Sequence, residues 1–310
     1  MANHMPLIAT MLPELTLGTD EFAIATAVLA YATGDAFGVS YEFEPLVKAP
    51  IPKRMIGKTD WPAGGVSDDT LLSLITISCL DCPSPTFAAE AFKLRLRANV
   101  ANLRGLGPTT RHALGIFVEE REVGIIGVTN GGMMRTALLA LGFSGLQNPH
   151  RQTWVRELCA ATHFKADSLY AALIMAEVFA SALELKKWTV AEALKVARDN
   201  VADLPIEISL QLDGAADFVT PPQGVSLNPI ETLLAVLSIA AKSETVWDAY
   251  EGAICAGGDT DTLAALASSL IALRKPESFY QLPFIQDVHW QEIPEVADRI
   301  RLLLANRALS

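Results

Sequence analysis

At 310 residues the chain is long enough for one large domain or two ordinary ones, and 51% hydrophobic residues provide for a substantial buried core. A formal charge of −11 argues against nucleic acid or an anionic membrane as a partner, since phosphate surfaces are normally met by basic ones. Any anionic ligand would need a local cation.

The opening MANHM reads as a cloning remnant, and residues 1–15 as a tail ahead of a single domain over 16–310. Nothing there has the charge-then-apolar layout of a signal peptide, and four cysteines (Cys79, Cys82, Cys159, Cys255) make no dense disulfide framework. A cytoplasmic protein is expected.

The first helical pattern is EFAIATAVLAYA (21–32). TGDAFGVSYE (33–42) is read as its end, with glycines at 34 and 38, Asp35 between them and Glu42 just past the turn. Breakers at 44–65 predict a surface loop, and GGVSDDT (64–70) leads into the apolar helix TLLSLITISCL (70–80). CLDC (79–82) has the spacing of a redox or zinc knuckle, but no second CxxC or nearby histidine completes a site. FAAEAFKLRLRANVANL (87–103) is the next helix, and GLGPTT (105–110) connects it to another, Pro108 and Thr109 suiting a helix start. GVTNGGMMR (127–135) is a second glycine-rich approach to a helix, MMRTALLALGF (133–143). Such loops can cradle phosphate with backbone N–H groups, although most are simply caps.

LYAALIMAEVFASALELKKW (169–188) is apolar on nearly all sides but short for a bilayer and interrupted by Glu177, which predicts a central buried helix. VAEALKVARDNVADL (190–204) follows, then a second breaker loop at 219–229, ETLLAVLSIAA (231–241) and TVWDAYEGAICA (245–256). GGDTDT (257–262) opens DTLAALASSLIAL (261–273), and EVADRIRLLLANRAL (295–309) ends the chain. No train of alternating β-branched residues bounded by hairpin turns competes with these patterns, so the fold class is all-α.

GGVSDDT and GGDTDT share one layout: a Gly-Gly pair, then acidic and hydroxyl residues in the first turn of an apolar helix. Helix capping explains one or two such residues in each. It does not explain Ser67, Asp68, Asp69 and Thr70 together, nor Asp259, Thr260, Asp261 and Thr262. Carboxylates set against an apolar core cost kilocalories each unless neutralised, and oxygen-only ligands select hard cations such as Mg²⁺, Mn²⁺ or Ca²⁺. If the clusters meet, their oxygens suffice for two ions about 3.5 to 4 Å apart. The alternative is two independently capped helices.

In their order along the chain, GDAFGVSYE, SDDT, GLGPTT, NGGMMR, Thr162-His163 and GGDTDT resemble the ADP-ribosylglycohydrolase family, which includes dinitrogenase reductase-activating glycohydrolase, from about residue 24 to 273. The resemblance implies a compact orthogonal helical bundle in which Ser67, Asp68, Asp69, Asp259, Asp261 and Thr262 hold two Mg²⁺ or Mn²⁺ ions. Asp35, Gly107, Thr109, Asn130, Gly131 and His163 would bind substrate, with Asp69 and Glu42 as candidates for acid/base work. Two positions depart from the motifs: Ser67 stands where the family usually has threonine, and Thr129 where GNG has glycine. The implied reaction is hydrolysis at C1 of the distal ribose of an ADP-ribosylated protein or a small-molecule ADP-ribose conjugate. The alternatives are a hydrolase of a small ADP-ribose ester or nucleotide conjugate, and a non-catalytic ADP-ribose-binding or structural member.

Overall fold

The computed structural model describes residues 10–59 and 61–310, so the MANHM segment lies outside it. In chain order the α-helices are α1 Asp20–Gly38, α2 Asp68–Ser78, α3 Pro85–Asn99, α4 Pro108–Ala113, α5 Gly131–Ala137, α6 Pro149–Ala160 and α7 Ala166–Glu184. They continue with α8 Val190–Asn200, α9 Ile206–Gln211, α10 Pro229–Lys242, α11 Val246–Ala256, α12 Thr260–Arg274, α13 Pro276–Phe279 and α14 Val296–Leu309. β structure among the described residues is confined to two isolated bridges, Lys58 with Trp61 and Val225 with Gly258. The fold is all-α, as the periodicity predicts.

Helix starts follow ordinary chemistry. Ser67 caps α2, Asn148 followed by Pro149 caps α6, and Asn228 followed by Pro229 caps α10. The sequence reading passes over α6 because PHRQTWVRELCA has few apolar residues. Arg151 is nevertheless fully buried, its Nε and Nη2 donating to Glu177 Oε1 and Oε2 at 2.9 and 2.7 Å. Asn200 and Gln152 complete the carboxylate's shell, which accounts for a glutamate inside the central helix α7.

α1 and α12 form the centre of the molecule. Every residue from Phe22 to Gly38 is buried, and so is every residue from Thr260 to Leu273. An apolar surface on all sides is what a core helix needs. Gly34 and Gly38 are both residues of α1, which ends at Gly38, inside the stretch that the sequence reading gives as its end. They are glycines because α12 crosses there: a Cβ on Gly34 would stand 2.5 Å from Ala264 O, and one on Gly38 would stand 2.5 Å from Asp261 Cα. Ser269 Oγ and Ser268 Oγ donate across the crossing to Ala27 O and Ala30 O at 2.9 and 3.0 Å. Gly38→Ala is therefore expected to cost about 1 to 3 kcal/mol by overpacking. Chemical denaturation measures it, and an unchanged midpoint would contradict this account of the crossing.

Candidate metal centre and ligand pocket

The first acidic cluster is fixed by α1. Asp35, wholly buried, accepts from the Ser67 N–H at 3.0 Å, the Thr70 N–H at 3.1 Å and the Thr70 hydroxyl at 2.5 Å. Ser67 Oγ in turn accepts the Asp69 N–H at 3.1 Å. Asp35 and Ser67 thus stand one layer behind the pocket, holding the first turn of α2 so that Asp68 and Asp69 form part of the pocket wall. The capping reading and the cluster reading both hold here, for different residues.

The second cluster depends on two left-handed glycines, Gly257 at φ +69° and Gly258 at φ +78°. They let the chain run beside Val225, whose carbonyl accepts the Asp259 N–H at 3.0 Å and whose N–H donates to Gly257 O at 3.0 Å. Val225 is buried, so the 219–229 segment is more than a surface loop: its end braces this turn. Phe43, itself at φ +52°, donates its N–H to Gly258 O at 2.8 Å and so brings Glu42 beside Asp259.

The two clusters meet. Thr262 Oγ1 donates to Asp69 Oδ2 at 2.8 Å across 193 residues of sequence, and Glu42, Asp259 and Asp261 each offer an oxygen within 4.8 Å of the other two. Asp68, Asp69, Asp259 and Asp261 are all nine-tenths or more buried. Among the described residues the one ion pair reaching the cluster is Lys58 with Glu42, at 3.4 Å. Burial first, and then the neighbouring carboxylates, hold Asp68, Asp69 and Asp261 well above the usual carboxylate range. Burial also raises Asp259 to about 6 and, reinforced by Asp261, Glu42 to about 7. So many buried acids with one partly exposed lysine form a set of hard oxygen donors lacking a counter-charge, which fits divalent cations.

The pocket's other wall is glycine-rich. Gly105, at φ +87°, passes so close that a Cβ would stand 3.0 Å from Asp68 Oδ1. Gly107, Pro108, Thr109 and Thr110 continue the wall, and Thr129, Asn130, Gly131 and His163 face them. Asn130 Nδ2 donates to Asp259 Oδ2 and, at 3.0 Å, to Thr232 Oγ1, tying this wall to the acidic centre. Gly131 and Gly132 lie flat against the His163 side chain: a Cβ on Gly131 would be 2.9 Å from its Nε2, and one on Gly132 would be 2.9 Å from its Cβ.

Of the residues picked from sequence, Glu42, Asp68, Asp69, Asp259, Asp261, Thr262, Gly107, Thr109, Asn130, Gly131 and His163 line one pocket, with Asp35 and Ser67 behind it. Sequence reasoning did not select Gly105, Thr110, Met134, Leu227 or Lys58. The first three lie inside quoted motifs, while the isolated Leu227 and Lys58 carry no signal. A larger cleft, about 840 Å³, lies elsewhere, lined by Arg95, Arg104 and Arg299 among others. The acidic pocket is only about 60 Å³. Chemistry outweighs size in choosing between them, because the acidic pocket alone gathers the uncompensated carboxylates. The CLDC cysteines are free, and burial pushes the Cys79 thiol up to about 11, which leaves it inert as a nucleophile.

A helical scaffold with an oxygen-only acidic centre beside a glycine-lined wall is that of the metal-dependent hydrolases of ADP-ribose conjugates. The sequence model for ADP-ribosylglycohydrolase matches residues 19–309, and the chain belongs to that family. No curated protein sequence matches it. A solved structure described as an ADP-ribosylglycohydrolase-related protein complex shares the fold, with TM-score 0.67 at 22% identity, over 95% of this chain and 100% of that one.

Proposed function

We propose that this chain is a binuclear-metal-dependent, cytoplasmic hydrolase that releases ADP-ribose from a modified protein side chain by cleavage at C1 of the distal ribose. The observation supporting it is the convergence of Glu42, Asp68, Asp69, Asp259, Asp261 and Thr262 on one pocket, with a single lysine for counter-charge. Asp68, Asp69, Asp259, Asp261 and Thr262 would hold the ions, with Ser67 behind them. When bound, two Mg²⁺ or Mn²⁺ ions supply charge stabilisation and polarise the reacting oxygens.

Glu42 is the better of the two acid/base candidates. Its carboxyl, raised to about 7, can both accept and return a proton near neutral pH, whereas Asp69 already accepts the Thr262 hydroxyl. Lys58 orients Glu42 from the solvent side. In this reading the pocket would take the reacting end of an ADP-ribosyl group between the carboxylates and the Gly107–Thr110 and Thr129–Gly131 walls. The transition state would have oxocarbenium character, as in other glycoside cleavages.

The test is release of free ADP-ribose from ADP-ribosyl-arginine and ADP-ribosyl-serine peptides, and from a small ester such as O-acetyl-ADP-ribose, with Mg²⁺, with Mn²⁺ or in EDTA. Metal-dependent release from one peptide is expected. Release from the ester alone would move the reading to a small-molecule hydrolase, and a metal-loaded protein inert on all three would end it.

A further inference from the structure

Five side chains along the glycine-rich wall form one hydrogen-bonded row. Arg135, fully buried, has all its hydrogen bonds on uncharged oxygens: Nη2 donates to Leu158 O at 2.8 Å, Cys159 O at 3.3 Å and Thr162 Oγ1 at 2.7 Å, while the guanidinium lies 4.3 Å over the Phe92 ring. Thr162 Oγ1 is 2.8 Å from His163 Nδ1, and His163 Nε2 is 2.9 Å from Thr129 Oγ1. Thr129 Oγ1 is 3.2 Å from Thr109 Oγ1, which accepts the Gly127 N–H at 3.0 Å and donates to Ile125 O at 3.2 Å.

The proton directions in this row follow once the Thr109 hydroxyl donates to Ile125 O. A carbonyl only accepts, a guanidinium only donates, and each hydroxyl has one proton. The Thr109 proton goes to Ile125 O, so the Thr129 proton must go to Thr109. The contact between Thr129 and His163 is then made by a proton on Nε2. Burial and the Arg135 charge keep the imidazole neutral, so Nδ1 holds a lone pair and takes the Thr162 proton. The Thr162 oxygen is left to accept from Arg135.

We infer that Arg135 and Thr129 are positioning residues for the pocket: together they hold His163 as the neutral Nε2–H tautomer and lock Thr109, so that this wall meets a ligand already bonded, with no proton to give. Thr129 is the link that glycine at that position could not provide. Thr109 and His163 therefore contribute shape, and the acid/base chemistry stays on the carboxylates opposite. Only the choice of ligand in the test rests on the proposed function.

Long-range ¹H–¹⁵N correlation of the histidine rings in the full chain at pH 7, with His163 identified by the spectrum of His163→Asn, reads the tautomer directly. The wild type should show a protonated Nε2 and an unprotonated Nδ1. Thr129→Val should lose that single pattern, and its KM for an ADP-ribosylated peptide should rise about tenfold while kcat changes much less. Thr129→Ser should restore both. A wild-type His163 protonated at Nδ1 or at both nitrogens would overturn the inference, as would a Thr129→Val protein with unchanged tautomer and KM. If no ADP-ribosyl substrate is turned over, the functional reading fails, and the ring pattern with its loss in Thr129→Val still decides the row.

Discussion

Asp261→Asn is expected to lower ADP-ribose release by about a thousandfold or more while making the metal-free protein more stable. The carboxylate lies within 4.8 Å of oxygens of Glu42 and Asp259, and its charge raises the pKa of Glu42, Asp68 and Asp69. An amide of the same shape removes that repulsion from a buried site and also removes a cation ligand. Losing metal-derived charge stabilisation of several kcal/mol corresponds to a factor of about 10³ in rate. Melting curves in EDTA and in Mg²⁺, beside the release assay, separate the two effects. The variant should melt higher than wild type in EDTA and gain little from Mg²⁺. Lower stability in EDTA would mean that Asp261 is a structural acceptor, for instance through the Thr262 N–H it receives at 2.9 Å.

The second large effect is the pH dependence of stability without metal. A carboxyl whose folded pKa lies above its unfolded value near 4 is held undisturbed at low pH, and the fold loses stability as pH rises through the folded value. Burial raises every carboxyl of the centre, with Asp259 at about 6, Glu42 at about 7 and Asp68, Asp69 and Asp261 well above the usual range, so the loss begins near pH 4 and continues through 7. Glu42 alone, moving from 4.5 to about 7, contributes on the order of 3 kcal/mol. On the proposed function divalent cations would bind the folded, deprotonated site, so their stabilisation should grow over the same interval. Melting temperatures in EDTA should fall from pH 5 to pH 8, and Mg²⁺ should flatten or reverse the trend. A melting temperature in EDTA that rises steadily to pH 8 would show that the carboxylates are already neutralised within the chain.

The helices and both acidic clusters were legible because their signals are local. SDDT and GDTDT each overfill a helix start, and 3.6-residue periodicity marks α1, α2, α7 and α12 without help from the rest of the chain. What the sequence could not carry was distance. Gly34 and Gly38 mark the helix end in the sequence, but the reason for glycine there is Ala264 and Asp261, more than 200 residues away. Asp35 looked like a substrate contact because its partners, Ser67 and Thr70, belong to another helix. His163 and Thr109 line the pocket, yet their bonding depends on Thr129, which in the sequence is only a departure from a motif.

The crossing of α1 and α12 also sets an order of events during synthesis. α1 is complete when residue 38 has been made, but its partner, and with it Asp259 and Asp261, arrives only after a further 220 residues or so. Until then a largely apolar helix lacks its main cover and the acidic cluster is incomplete, so the growing chain is most exposed to misassembly late in translation. Any cation taken up by this cluster would therefore report that the two distant parts of the chain have closed on each other.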